Sequence, residues 1–172
     1  MGARIAMTKS KSKKRIAIFC CGCQTEVQAR LTTGAEIYPH RADLKSLPFW
    51  KCDSCENYVG CHHKTKDRTR PLGNIPTAEL RKARSHIHAI LDPIWRQGRI
   101  ERKKLYGMIS ERLGYEFHTG ELRTIQESRD VWRVVKDISR EMESAQGRND
   151  QRVSYRQGRP SAHLPLSGRS GN

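Results

Sequence analysis

Apolar residues first gather at positions 16–19, a β-branched and aromatic run directly before Cys20, and Phe49-Trp50 stands before Cys52 in the same way. Each run predicts a strand that enters a tight turn. Between them Val27, Ala29 and Leu31 alternate with polar residues, as a strand with one buried face does. Thr33-Gly34 supplies a turn, Glu36 to Tyr38 starts a return strand that Pro39 interrupts, and Tyr58 to Cys61 is a further short strand. The period changes after Pro76. Thr77 is placed to cap a helix in which Leu80, Ala83, Ile87 and Ile90 or Leu91 recur at three and four, with Arg81, Arg84, Ser85 and His88 on the opposite face. Asp92-Pro93 predicts the start of a second helical segment, because proline suits a first helical position. Leu105, Met108, Ile109 and Leu113 form another stripe that Gly114 ends, with Arg99, Arg102, Lys103 and Tyr106 outside it. A third helix from Ser128 buries Val131, Val135 and Ile138, after a turn holding Leu122 and Ile125. Trp50, Trp95 and Trp132 lie within apolar patterns and are assigned to the core.

The cysteines give the β half its chemistry. Cys20-x-x-Cys23 and Cys52-x-x-Cys55 are separated by 28 residues. Two intervening residues let the chain reverse while both sulfurs face one ion at about 2.3 Å, and two such knuckles complete a tetrahedron. In a reducing compartment paired cysteines are metal ligands before they are disulfides. The reading is a four-thiolate zinc ribbon with one structural Zn²⁺ per chain. Cys21, Cys61 and His62 are kept as alternative ligands. Four cysteines close the zinc shell, which favours a structural over a catalytic metal. The fold class is therefore α+β: a small antiparallel β zinc ribbon over 16–76, then a short helical bundle over 77–142 packed on it as one domain. Residues 1–15 form a basic arm and residues 143–172 a flexible tail, both expected to be disordered, since the 47 positions outside 16–140 hold only four Leu, Ile, Val or Phe.

Charge adds a partner class. The 172 residues carry 33 Lys or Arg against 18 Asp or Glu, a formal net charge of +15. The first fifteen residues hold +6 with no acid, including Lys11, Lys13, Lys14 and Arg15, and residues 78–115 hold nine basic against four acidic side chains. A surplus confined to particular segments is the footprint of a polyanion. It points to nucleic acid, DNA or RNA, contacted by those arm residues and by Arg81, Arg84, Arg99, Arg102 and Lys103. The arm lacks the interleaved Trp, Phe and Leu of an interfacial helix, and no run approaches the roughly 18 apolar residues that span a bilayer, so no membrane partner is expected.

The ordered motifs also resemble a known family. Besides the two cysteine pairs they comprise Glu36-Ile37-Tyr38, Arg41, Phe49-Trp50, Tyr58-Val59-Gly60-Cys61-His62, Pro71-Leu72-Gly73, Glu79-Leu80-Arg81, Ala83-Arg84, Asp92-Pro93-Ile94-Trp95 and Leu113-Gly114. Over about residues 16–138 the chain is similar to the zinc-finger-containing domain of unknown function found in phages and proteobacteria. It departs at the first knuckle, where that family tends to carry Cys-Pro-x-Cys-Gly and this chain has Cys20-Cys21-Gly22-Cys23-Gln24. The resemblance implies zinc and a phage or prophage setting in the cytoplasm of a bacterial host, and no activity. The leading function is noncatalytic nucleic-acid binding. The alternatives are an adaptor or inhibitor docking on a host transcription, replication or defence protein, and a metal-dependent nuclease using His62, His63 or His88 with Asp53 or Asp92.

Overall fold

The computed structural model describes the backbone of residues 14–157 and the side chains of residues 14–145. The expectations for residues 1–13 and 158–172 lie outside the described residues, as do those for the side chains of residues 146–157. Four strands form one antiparallel meander in chain order: β1 (Arg15–Cys20), β2 (Thr25–Thr33), β3 (Pro48–Lys51) and β4 (Tyr58–Gly60). Ile18 pairs with Val27, Leu31 with Trp50 and Trp50 with Val59. That register puts Ile18, Ala29, Trp50 and Val59 into one cluster with Cys20, Cys52, Cys61 and Ile75. Three of these eight buried residues are cysteines, so the ribbon holds little aliphatic core. Trp50 is 1% exposed and gives its indole N–H to the Thr69 carbonyl at 2.6 Å. Its placement in the core is confirmed. Ile75 lies along β1, accepting from the Cys21 N–H and donating to the Phe19 carbonyl, which occupies the open edge of the sheet.

Where a return strand was expected at Glu36 to Tyr38, the chain instead makes a helical turn, α1 (Gly34–Ile37). The cause is ionic. The turn brings the Glu36 carboxylate back over β2, where it takes both terminal nitrogens of Arg30, the Thr32 hydroxyl and the Lys51 ammonium.

Thr77 caps α2 (Ala78–Arg96) as expected, its hydroxyl accepting from the Leu80 N–H at 3.1 Å. The helix does not restart at Pro93 but runs through it. Proline there forfeits only the bond to the exposed Ala89 carbonyl, and the Gln97 N–H closes on Pro93 one turn later. α3 (Arg102–Leu113) ends at Gly114 in a left-handed conformation, again as read from the sequence. α4 (Ile125–Gln157) begins three residues before Ser128. Thr124 accepts from the Glu127 N–H while the Glu127 carboxylate accepts from Arg123 and Thr124, so a capping box fixes the start. The backbone stays helical to Gln157, beyond the point at residue 143 where a flexible tail was expected.

The chain divides into two compact units, residues 1–135 and 136–172. In the second, the described backbone is helical and Ile138 is buried. In the first, Leu80, Ile87, Leu91, Leu105, Ile109, Phe117, Val131 and Val135 are buried as the helical core. Trp95 and Trp132 are half-buried rather than internal. The ribbon meets the helices along residues 73–75. Asn74 bonds through its backbone to Gly120 and through its side chain to the Glu121 carbonyl. At this crossing Gly73, at φ +139°, and Gly120 approach so closely that a Cβ on Gly73 would lie 2.2 Å from the Gly120 carbonyl oxygen.

Candidate metal centre and the basic residues around it

Two identical turns build the site. In the first, the Gln24 N–H closes on the Cys20 carbonyl at 2.8 Å, and in the second the Glu56 N–H closes on Cys52 at 2.9 Å. Both closing residues are left-handed, Gln24 at φ 56° and Glu56 at φ 61°. Both are conformations that glycine adopts without strain and that non-glycine residues adopt rarely.

The turns bring four sulfurs together. Cys20 Sγ lies 3.4 Å from Cys55 Sγ and Cys23 Sγ lies 3.7 Å from Cys52 Sγ. All four ligand atoms lie within 4.8 Å of one another. A tetrahedral zinc with Zn–S near 2.3 Å requires sulfur–sulfur edges of about 3.8 Å. The donor set therefore fits the ion in both geometry and chemistry. Among the described residues no other group of three or more His, Cys, Asp or Glu side chains converges in this way. Burial pushes the Cys20 thiol up to about 12, and the neighbouring Cys55 and Cys52 sulfurs raise Cys23 to about 11. Cys55 runs the other way: burial would raise it, but the backbone N–H of Asn57, the Cys20 thiol and the Asn57 side-chain amide stabilise its thiolate and bring it to about 7. Asn57 Nδ2 lies 3.2 Å from Cys55 Sγ, and a Cβ on Gly22 would fall 2.4 Å from that nitrogen, so the glycine leaves room for this bond.

Cys21 and Cys61 are buried outside the cluster, and burial raises both thiols, Cys61 to about 11. His62 is half-buried and its backbone N–H bonds to the Arg70 carbonyl. None of these three alternative ligands joins the four sulfurs.

A family model described as a zinc-finger-containing domain matches residues 16–138. The chain belongs to that family. No curated protein and no solved structure matches it. One structural zinc held by Cys20, Cys23, Cys52 and Cys55 is what the family and the cluster together give this zinc finger.

The basic residues singled out from the sequence separate into groups. Lys11 and Lys13 lie outside the described residues. Lys14 is exposed beside Trp50, and Arg15 pairs with Asp53 at 3.0 Å. Arg99, Arg102 and Lys103 are exposed around the start of α3. Arg81 lies 3.9 Å over the Tyr58 ring. Arg84 corrects the sequence reading. It is only 9% exposed, and its guanidinium donates to the Asn74 carbonyl at 3.1 Å and to the Leu122 carbonyl. It clamps the ribbon crossing to the segment before α4 and is not available as a surface phosphate contact. Tyr58, Tyr106 and Arg70, which the sequence reading did not mark as functional, stand beside these cations. Only Tyr106 carried a signal, lying within the basic segment 78–115, whereas Tyr58 and Arg70 fall in the ribbon half outside it.

No helix among the described residues is long and apolar enough to cross a membrane.

Proposed function

We propose that this zinc finger is a noncatalytic nucleic-acid-binding protein in which the metal organises a scaffold and cations outside the ribbon core contact phosphates. The observation that carries the reading is the exposed group Arg99, Arg102 and Lys103 at the α2–α3 junction, to which an exposed Lys14 before β1 and a half-buried Arg81 on α2 add charge. Their charge is not consumed by the ribbon's acids. Asp53 pairs with Arg15 and Arg30, and Glu36 with Arg30 and Lys51. Four thiolates on one Zn²⁺ carry −2, so the holoprotein keeps about +13 of its formal +15. A closed four-sulfur shell leaves the zinc no position for an activated water, which supports a structural role. The phage or prophage setting, and the cytoplasm of a bacterial host, rest on the family resemblance alone.

The test is the double variant Arg99→Gln with Lys103→Gln, both exposed and outside the apolar stripes. It should weaken binding to all sequences alike and flatten the dependence of log K on log salt by about two units. Unchanged affinity and slope would transfer the basic surplus to another role, and salt-insensitive capture of one host protein would then favour the adaptor.

A further inference from the structure

A cleft of about 600 Å³ opens within the first unit, between the ribbon and the helices. Its walls join parts of the chain that are remote in sequence: Tyr58 of β4, Arg70 of the loop after it, Arg81 of α2, and Arg102 and Tyr106 of α3. Four arginines and three histidines line it against one acidic residue, Glu121.

Two independent features point to a ligand. The first is that two of its cations lie over tyrosine rings. Arg81 lies 3.9 Å over Tyr58, and Arg102 lies 5.0 Å over Tyr106. Each also makes one long bond of 3.4 Å, to the Tyr58 carbonyl and the Tyr106 hydroxyl, neither of which is an acid. A guanidinium placed over a ring is restrained and keeps donors for a phosphate oxygen, and arginine and tyrosine are both side chains on which a base can stack. The second is the polar lining beneath. Arg84 and Thr119 are 9% and 5% exposed, yet Arg84 Nε and Thr119 Oγ1 have no hydrogen-bond partner. Both residues line the cleft. Arg84 is a buried cation bonded to two carbonyls rather than to a carboxylate, and a concave low-dielectric site concentrates its field on whatever enters.

We propose that this cleft is a groove for a single-stranded segment of nucleic acid, with phosphates on Arg70, Arg81 and Arg102 and bases against the arginine–tyrosine stacks. The inference rests on the nucleic-acid reading above and adds the form of the ligand and its place. A single strand is favoured because these cations stand inside a concavity, which a flexible backbone can follow and a stiff convex duplex cannot. A free nucleotide shares the chemistry, and competition by a mononucleotide distinguishes it from a strand.

The test is fluorescence anisotropy of the zinc-loaded full chain with labelled oligothymidylate, oligouridylate and a duplex of equal length, and with a mononucleotide as competitor. Arg70→Glu and Arg102→Gln should each weaken single-strand binding by about tenfold, with less effect on the duplex. Lys45→Gln, on the exposed loop before β3, should leave it unchanged. Zinc content and circular dichroism report folding. Arg70 is exposed, so Arg70→Glu decides the matter if Arg102→Gln fails to fold. If the wild type retains no nucleic acid of either form, the nucleic-acid reading itself fails. If it binds but both cleft variants match Lys45→Gln, or a mononucleotide competes as well as the strand does, the groove assignment alone is overturned.

Discussion

Replacing Arg84 by methionine separates a structural clamp from a phosphate contact. Its side chain reaches from α2 to two carbonyls that are not neighbours in sequence, Asn74 at the ribbon crossing and Leu122 before α4. Hydrogen bonds from a charged donor contribute about 1.5 to 3 kcal/mol each, so losing two costs about 3 to 6 kcal/mol. Relief of the buried charge offsets part of this, since burial already pulls the guanidinium below its ordinary pKa. Methionine keeps most of the apolar stem, which limits any cavity. The expected net loss is about 3 kcal/mol, equivalent to a fall in Tm of roughly 10 °C for a domain of this size. Arg84→Lys, which presents one compact ammonium where a fork was needed, should fall between the two. The assay is thermal unfolding in excess zinc followed by far-ultraviolet circular dichroism. An unchanged Tm for Arg84→Met, with weakened nucleic-acid binding, would refute the clamp and restore Arg84 to the binding surface.

Three further outcomes follow from the geometry. Zinc uptake by the metal-free chain at pH 7.5 should release at least two protons per ion, from Cys20 at about 12 and Cys23 at about 11, with Cys55 adding to the release as pH falls below about 7. Apparent zinc affinity should accordingly rise with pH, and a pH-independent affinity in competition with a chelator would contradict the thiol assignment. Glu36→Gln should destabilise the ribbon by about 1 kcal/mol near neutral pH, discounted because the carboxylate is a third exposed. Arg30 holds that carboxyl well below the usual range, so its contribution is fully present above the unfolded value near pH 4.3, begins to fade below it and is lost as pH falls through the depressed folded value. Urea titrations at pH 7 and pH 3 should show the difference shrinking at the lower pH, and an equal difference at both would remove the ion pair as its cause. Gly73→Ala should unfold the crossing or cost several kcal/mol, because its Cβ would strike the Gly120 carbonyl oxygen at 2.2 Å in a left-handed backbone. A variant with wild-type stability in a urea titration would show that this crossing is not tight.

What was legible in the sequence was what is local. The alternation at Val27, Ala29 and Leu31, the two cysteine pairs, Thr77 as a cap and Gly114 as a stop each depend on residues within one turn or one strand. Arg84 is buried where its spacing, though not its residue type, predicts. The buried positions of α2 are Leu80, Arg84, Ile87, Leu91 and Ile94, a regular series of four and three, and residue type outweighed position in the reading. The Asn74–Glu121 bond spans 47 residues and has no local signature. The missing N–H of Pro93 is as compatible with a first helical turn as with a late one, and only the surrounding contacts decide. The helical turn at Glu36 depends on Arg30 and Lys51 arriving from two different strands.

The most direct test of the central claim is the salt dependence of nucleic-acid binding by the zinc-loaded chain. Five described cations, Lys14, Arg81, Arg99, Arg102 and Lys103, predict that log K falls against log salt with a slope of about −4.5 on duplex DNA and about −3.5 on single strands, steeper if the first thirteen residues also engage. Absence of salt-sensitive retention on either form at low ionic strength would contradict it.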